Sequence, residues 1–450
     1  MSLSLTQNNN DKNKRGRKME MTAEQAKSRS SVIPMAIVAI LFFVLGFATW
    51  LNGSLMPYLK QMLMLTPFQA SLVVFSFYIA VTFTALPSAW IIRKVGYKSG
   101  MALGMATMML AGLLYIPAAQ TQTFALFLLA QLVIGTGQTL LQTAVNPYVV
   151  KIGPEETAAV RISIMGILNK TAGVVAPVVF TALMANSFVA SPDTALTGAQ
   201  IDEMASALVV PYLGLAAFLG LLALAVKFSP LPELEKESAD NNNAMQIKAA
   251  LARPSLALGV LALFVYVAVE VIAGDTIGLF ALSLGVERYT VMTSYTMGCM
   301  VLGYVLGIVL IPRVLSQQTA LAVSAVLGVV LVLAIVLGDT SSYALANSLL
   351  VPFGGTALPD TLLYIAVLGL ANAIVWPAVW PLALSGLGAL TSTGSALLIM
   401  GIAGGAFGPL FWGLASGTGL GQQGAYIVML PCYLFILFYA LKGHKMTSWK

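Results

Sequence analysis

Long apolar stretches alternate with short polar ones along almost the whole chain. Twelve of them reach or approach the roughly 20 residues that a helix needs to cross a bilayer. We therefore predict an all-α membrane protein with twelve transmembrane helices, arranged as two six-helix bundles. The predicted spans are 33–56, 68–92, 98–117, 122–150, 159–186, 207–227, 256–282, 289–312, 318–338, 360–384, 390–415 and 424–442.

One long polar interruption divides these spans into two groups of six. It begins at Ser229 and ends at Asn243, and it reads SPLPELEKESADNNN. Proline and a run of asparagines are typical of a flexible linker. We predict a disordered tail, a first bundle, a linker, a second bundle and a short tail, at residues 1–31, 32–228, 229–249, 250–443 and 444–450.

Composition and charge fit this topology. The chain is 58% hydrophobic and 9% charged, whereas soluble domains carry about 25% charged residues. Of its 23 lysines and arginines, only Lys60 and Arg288 fall on one side of the predicted membrane, and Lys170 falls within it. The rest share the side of both termini, which the positive-inside rule makes cytoplasmic. We expect a monomer in the bilayer, with no nucleic-acid partner.

Three charged residues interrupt otherwise apolar spans: Lys170, Glu270 and Asp275. A charge at the bilayer centre costs roughly 2.5 to 3.5 kcal/mol, so such residues usually mark a transport pathway. The two acids are five positions apart, about 140° around a helix, and share a face only if the helix unwinds near Gly274. One acid could serve a coupling cation while the other pairs with Lys170. Alternatively, a pair with Lys170 only joins the two bundles, or Lys170 contacts the substrate.

Polar and aromatic side chains recur every four residues in spans 4 and 10, so each set forms one helix face. A sugar site needs amides for the hydroxyl groups and an aromatic surface for the C–H face. Any one of these residues could instead form a helix–helix hydrogen bond. The predicted substrate-binding residues are Asn52, Gln138, Gln142, Asn146, Asn169, Lys170, Asn372, Trp376 and Trp380.

Four spans carry signals for a bend or a break. In spans 1 and 7 a glycine lies beside polar residues, at Gly53 and Gly274. In spans 4 and 10 the polar face ends near a proline, as at Pro147 and Pro377, which frees a backbone carbonyl. Such irregular backbone is tolerated in a membrane only where it lines a protein-enclosed cavity.

Several short motifs together resemble one family. They are QTAVNPY at 142–148, Gly153-Pro154-Glu155, Leu51-Asn52-Gly53, Asn169-Lys170 and VEVIAGDTIG at 269–278. The chain resembles the fucose–galactose–glucose sugar permease branch of the major facilitator superfamily. It looks most like its bacterial glucose/galactose and N-acetylglucosamine transporters. The resemblance implies import of a hexose by cation symport through alternating access, in a bacterial inner membrane.

Two departures from that family bear on coupling. Proton-coupled fucose permeases carry acids where this chain has Gly53 and Gln142, so Glu270 and Asp275 are the remaining intramembrane acids. We assign cation coupling to these two acids and Lys170. Similar sodium-dependent glucose carriers have a glutamate in helix 7, which favours Na⁺ over H⁺ and makes Glu270 the candidate Na⁺ ligand.

Other function classes are poorly supported. The chain has no phosphate-binding loop and no Cys/His cluster, and its single histidine is His444. We therefore predict neither an enzyme nor a bound cofactor. The alternative function is a facilitator-type exporter of sugars or drugs. A sugar sensor would normally need a soluble output domain, and the sequence shows none.

Overall fold

A computed structural model describes residues 33–152, 158–185, 196–234, 243–311 and 313–449. The predicted tail at 1–31 and the Gly153-Pro154-Glu155 motif lie outside this part. Within it, twelve helices are long and apolar enough to cross a membrane, as predicted. They are α1 Ile33–Met62, α2 Pro67–Val95, α3 Tyr97–Thr121, α4 Phe124–Val149, α5 Arg161–Leu183, α6 Gly198–Lys227, α7 Pro254–Ser283, α8 Tyr289–Leu310, α9 Gln317–Leu337, α10 Asp360–Leu384, α11 Thr393–Ser416 and α12 Gly421–Lys445.

Three of these helices contain a single non-helical residue near the middle: Leu51 in α1, Thr276 in α7 and Ile374 in α10. In α11 and α12 the helix is continuous but tightens to 3-10 geometry at Gly401–Ala403 and Ala425–Met429. The predicted breaks in α1 and α7 are confirmed. In α10 the break lies one turn before Pro377, which has no N–H to offer the carbonyl of residue 373. The helix α4 is not broken at its proline: it continues through Pro147, and a bend there stays a prediction.

The helices of each half pack mainly on one another. In the first half α4 lies against α2 and α3, and α3 lies against α6; in the second half α10 lies against α8 and α9. The halves meet where α1 crosses α7, where α2 packs on α11 and where α5 packs on α8. We call the side of the membrane that holds Arg93 and Lys94 the basic face, and the other side the opposite face.

Hydrogen bonds join the two halves near the opposite face. The Ser54 hydroxyl of α1 donates to the carbonyl of Thr290 at 2.6 Å. The Thr181 and Thr290 hydroxyls are 2.7 Å apart, and the Tyr289 hydroxyl donates to Gln61 at 2.6 Å. These bonds connect α1 and α5 to the start of α8. The bundles are therefore closed against each other on this side.

The predicted linker is more ordered than its composition suggests. Its described first part lies on the basic face of the first bundle, where the Glu233 carboxylate accepts the backbone N–H of Tyr97 at 2.6 Å. The Tyr148 hydroxyl donates to the carbonyl of Pro232, also at 2.6 Å. The far end is helical, at Asn243–Leu251. These two parts of the linker thus have specific partners or regular backbone, and the flexibility of the linker stays a prediction.

Candidate substrate and cation site

An ion pair lies at the centre of the interface between the bundles. The Lys170 ammonium of α5 contacts the Glu270 carboxylate of α7. Only 13% and 8% of these side chains are exposed, so both charges are largely removed from solvent. Of the two acids in α7, Glu270 is thus the partner of Lys170 in this structure. A largely buried charge of this kind is tolerated because its partner compensates it.

Trp50 supports this pair from the opposite-face side. Its indole lies between two glycines: a Cβ on Gly173 would be 2.7 Å from the ring, and one on Gly274 would be 2.6 Å from it. Glycine at both positions gives the ring room between α5 and α7. The Lys170 ammonium is 4.6 Å from the centre of a Trp50 ring, within the range of a cation–π interaction. Trp50 therefore holds the lysine while Glu270 neutralises it.

Asp275 lies one and a half turns further along α7 in a different environment. The residue is completely buried, and neither carboxylate oxygen has a hydrogen-bond partner within the described part of the chain. Its Oδ1 atom is 3.0 Å from where a Cβ on Gly53 would lie. The same point is 2.1 Å from Thr293 Oγ1 and 3.0 Å from the Gly274 carbonyl oxygen. Asp275 thus faces the crossing of α1 and α7.

Several predicted substrate residues remain accessible. Gln142, Asn146 and Asn169 are half-buried. The Asn169 amide donates to the Phe42 carbonyl of α1 at 3.4 Å, and Lys170 is paired with Glu270. From the second bundle come two half-buried tryptophans, Trp376 and Trp380, which stack with ring centres 5.4 Å apart and planes inclined by 27°. Tyr266, one turn before Glu270 on α7, lies 6.3 Å from the Trp376 ring. Amides on the first bundle and aromatic rings on the second supply the two surfaces that a sugar requires.

Three other predicted substrate residues are buried in structural hydrogen bonds. The Asn52 side-chain oxygen accepts from the Gln131 amide at 2.8 Å. The Gln138 amide donates to Thr49 at 2.6 Å, and the Asn372 oxygen accepts from the Tyr433 hydroxyl at 2.8 Å. Each is at most 6% exposed. In this conformation each of these residues joins two helices through one side-chain atom, while Asn52 Nδ2, Gln138 Oε1 and Asn372 Nδ2 have no hydrogen-bond partner among the described residues. Their role in substrate binding stays a prediction.

The sequence of the chain matches a known protein family. A family model described as the Major Facilitator Superfamily matches residues 38–409. The chain belongs to this family. Membership confirms the predicted fold of two six-helix bundles and the assignment to transporters and not to enzymes.

Relatives of this facilitator are named as sugar transporters. A "Glucose/galactose transporter" of Brucella abortus is 32% identical over 427 residues, covering 94% of this chain and 97% of that one. The "L-fucose-proton symporter" of Escherichia coli is 26% identical and covers 93% and 94%. Both agree with the resemblance to the fucose–galactose–glucose branch. A crystal structure of the E. coli fucose:proton symporter is 22% identical and matches with a TM-score of 0.66 over 91% and 98%; it supports the fold alone.

The facilitator also uses polar residues that the sequence reasoning missed. Gln131 lies on the same face of α4 as Gln138, two turns earlier, and that spacing could have indicated it. Thr293 and Tyr433 gave no such signal. A threonine or tyrosine in an apolar span is common, and its role depends on which neighbouring helix it faces.

Proposed function

We propose that this facilitator imports a hexose such as glucose, galactose or N-acetylglucosamine by symport with a monovalent cation. One observation carries the proposal: the Lys170–Glu270 pair joins the two bundles, and Tyr266, one turn before Glu270, lies 6.3 Å from the first of two stacked tryptophans. Alternating access requires an interface that can open and re-form. An ion pair between the bundles is suited to this, since it can break or exchange partners as they rock.

The substrate class rests on the accessible side chains and on the relatives. Gln142, Asn146 and Asn169 offer both donors and acceptors to hydroxyl groups, and Lys170 adds a charged donor. Trp376 and Trp380 offer a flat apolar surface for the sugar ring. Relatives at 32% identity are named for glucose and galactose.

The cation is proposed to be Na⁺ in preference to H⁺. The preference rests on Gly53 and Gln142, which cannot carry a proton where the fucose symporters have acids. Relatives named as proton symporters, at 26% and 24% identity, support the opposite choice, so the two gradients are to be tested apart. One cation moving down 100 mV releases about 2.3 kcal/mol, enough for about 50-fold accumulation of a neutral sugar.

The proposed orientation follows from charge. We propose that the basic face, which holds Arg93 and Lys94, lies in the cytoplasm of a bacterial cell together with both termini, because basic loops favour that side. The bonds from Ser54 and Gln61 then close the outer half of the interface. The structure would represent a state closed to the outside, from which sugar leaves to the cytoplasm. We propose that the transporter works as a monomer.

Uptake into proteoliposomes tests this function. Labelled glucose, galactose and N-acetylglucosamine are each supplied with an inward Na⁺ gradient or an acid-outside gradient. We expect accumulation of at least one hexose with Na⁺. No uptake of any hexose with either gradient would contradict sugar symport, and uptake with acid alone would replace Na⁺ by H⁺.

Variants of the first bundle test the substrate residues. Gln142→Ala and Asn146→Ala should each raise the KM for the hexose roughly tenfold, because each removes one to two hydrogen bonds to hydroxyl groups. Ser206→Ala is the control, since its hydroxyl is exposed and bonds within its own helix. Wild-type KM in both amide variants would exclude the α4 face as the sugar site.

A further inference from the structure

We infer that the crossing of α1 and α7 holds the coupling cation as a Na⁺ site built around Asp275, separate from the Lys170–Glu270 pair. The inference rests on the proposed cation symport and names where the cation binds. It also departs from the expectation that Glu270 is the Na⁺ ligand, because the Glu270 carboxylate is already paired with the Lys170 ammonium.

The charges inside the bundles favour a cation at Asp275. Among the three charges inside the bundles, Lys170 and Glu270 neutralise one another. Asp275 is left over: it is fully buried, and its two oxygens lack a hydrogen-bond partner among the described residues. A carboxylate in an apolar interior is stable only when one positive charge neutralises it, and either a proton or a monovalent metal ion can provide that charge. A monovalent cation supplies it and leaves the site neutral, whereas a divalent ion would leave an excess positive charge.

The kinds of oxygen atom near Asp275 favour a metal cation. Three oxygens of different kinds converge beside Gly53: the Asp275 carboxylate, the Thr293 hydroxyl and the Gly274 carbonyl, all within 3.0 Å of the position of a Cβ on Gly53. Carboxylate, hydroxyl and carbonyl oxygens are the ligands that hard cations prefer. A proton needs only the carboxylate. The presence of the two neutral oxygens beside it therefore favours Na⁺.

The backbone around the site explains why these oxygens are available. The interruption of α7 at Thr276 removes the regular helical partner from carbonyls just before it. The Thr293 hydroxyl of α8 donates to the Gly274 carbonyl at 2.6 Å, which leaves the lone pairs of that hydroxyl free to face a cation. Discontinuous helices offer unwound carbonyls to Na⁺ in other transporters by the same physical route.

Gly53 leaves space for the site because it has no side chain. Any side chain at this position would enter the space between Asp275 and Thr293, since its Cβ would be 2.1 Å from the threonine hydroxyl. The α7 backbone is also close, because a Cβ on Gly278 would be 3.0 Å from the Gly53 carbonyl. The two helices thus meet through glycine, so that the Asp275 and Thr293 oxygens face the α1 backbone without an intervening side chain.

Such a site also couples cation binding to closure. Its ligands come from α7 and α8, while α1 of the other bundle covers them at Gly53. When the bundles separate on the opposite face, this cover moves away and the site opens on the side from which the cation enters. Occupied Asp275 is neutral and tolerates the closed crossing, whereas empty Asp275 is a buried charge and resists it.

Sodium binding without sugar tests the inference. The unfolding midpoint of the purified protein is measured while Na⁺ replaces choline at constant ionic strength and pH. A ligand that binds only the folded state raises the midpoint. We expect a saturable rise in the wild type and in Asp339→Asn, which makes the same chemical change at an exposed acid outside the spans. We expect Asp275→Asn to lose the rise.

Two further variants keep the test decisive. Thr293→Val removes one ligand and should raise the apparent Na⁺ dissociation constant at least about tenfold, as loss of supporting partners does at metal sites. Loss of the Na⁺ response in Glu270→Gln together with its retention in Asp275→Asn would move the site to Glu270 and overturn the inference. Absence of any Na⁺ response in the wild type would also overturn it, even if hexose uptake is driven by acid. A response at Asp275 without hexose transport would support the site and contradict the proposed function.

Discussion

Two acids of the same helix, five residues apart, occupy opposite kinds of environment. Glu270 contacts a lysine of the other bundle, with an indole beside that lysine. Asp275 is fully buried among small residues where α1 and α7 cross, and no described residue gives its carboxylate a hydrogen bond. The chain itself compensates the charge of Glu270, which lies at the interface between the bundles. We infer that a ligand compensates the charge of Asp275.

The largest effect is expected at the compensated pair. Lys170→Met leaves the buried Glu270 carboxylate without an opposite charge, which should destabilise the protein by about 3 to 5 kcal/mol. The double variant Lys170→Met/Glu270→Gln removes both charges and should recover most of that loss. Unfolding midpoints of the two variants and the wild type measure this. A double variant no more stable than Lys170→Met would mean that the pair does not stabilise the interface.

Loss of the pair should also abolish accumulation. Glu270→Gln leaves the Lys170 ammonium without its carboxylate, so the interface can no longer re-form in the same way. We expect no concentrative hexose uptake in proteoliposomes that carry this variant. Unchanged concentrative uptake would remove Glu270 from the transport cycle and leave Asp275 as the intramembrane acid to consider.

A smaller effect is expected where the helices cross. Gly53→Ala places a methyl group 2.1 Å from the Thr293 hydroxyl, and such overpacking typically costs about 1 to 3 kcal/mol. Thr293→Ala in the same chain should relieve part of it. Gly166→Ala in α5 is the control, because no heavy atom lies within 4 Å of its added methyl. Equal unfolding midpoints for the Gly53 and Gly166 variants would show that the crossing is not tightly packed.

The smallest effect is expected at the closing hydrogen bonds. Ser54→Ala removes the 2.6 Å bond to the Thr290 carbonyl, worth about 1 kcal/mol, or roughly a fivefold shift away from the closed state. A cysteine introduced near Ser54 and labelled from the opposite face reports that shift as faster modification. Thr107→Ala serves as the control, since its hydroxyl bonds only within its own helix at an exposed position. Identical labelling rates would show that this bond does not hold the bundles together.

Much of the fold was predictable from the sequence, because apolar spans and the glycines beside Asn52 and Asp275 are local signals. The twelve spans and the breaks in α1 and α7 agree with the structure. Pro147 shows the limit of local reasoning. A proline removes a hydrogen bond but does not by itself end a helix held by its neighbours, and α4 continues past it.

The site was less predictable for a physical reason. A polar residue in an apolar span indicates that it has a polar partner, but not whether that partner is a side chain or a substrate. Asn52, Gln138 and Asn372 turned out to bond other side chains, while Gln142 and Asn146 remain half-buried. The partner of Lys170 and the position of Thr293 beside Asp275 depend on how separate helices rotate against each other.

Sodium-driven hexose accumulation in two aspartate variants tests most directly whether Asp275 binds the coupling cation. Wild type, Asp275→Asn and Asp339→Asn are reconstituted at equal density and given an inward Na⁺ gradient with pH equal on both sides. We expect accumulation in the wild type and in Asp339→Asn, and none in Asp275→Asn. Wild-type accumulation in Asp275→Asn would contradict the claim that the uncompensated acid of α7 binds the coupling cation.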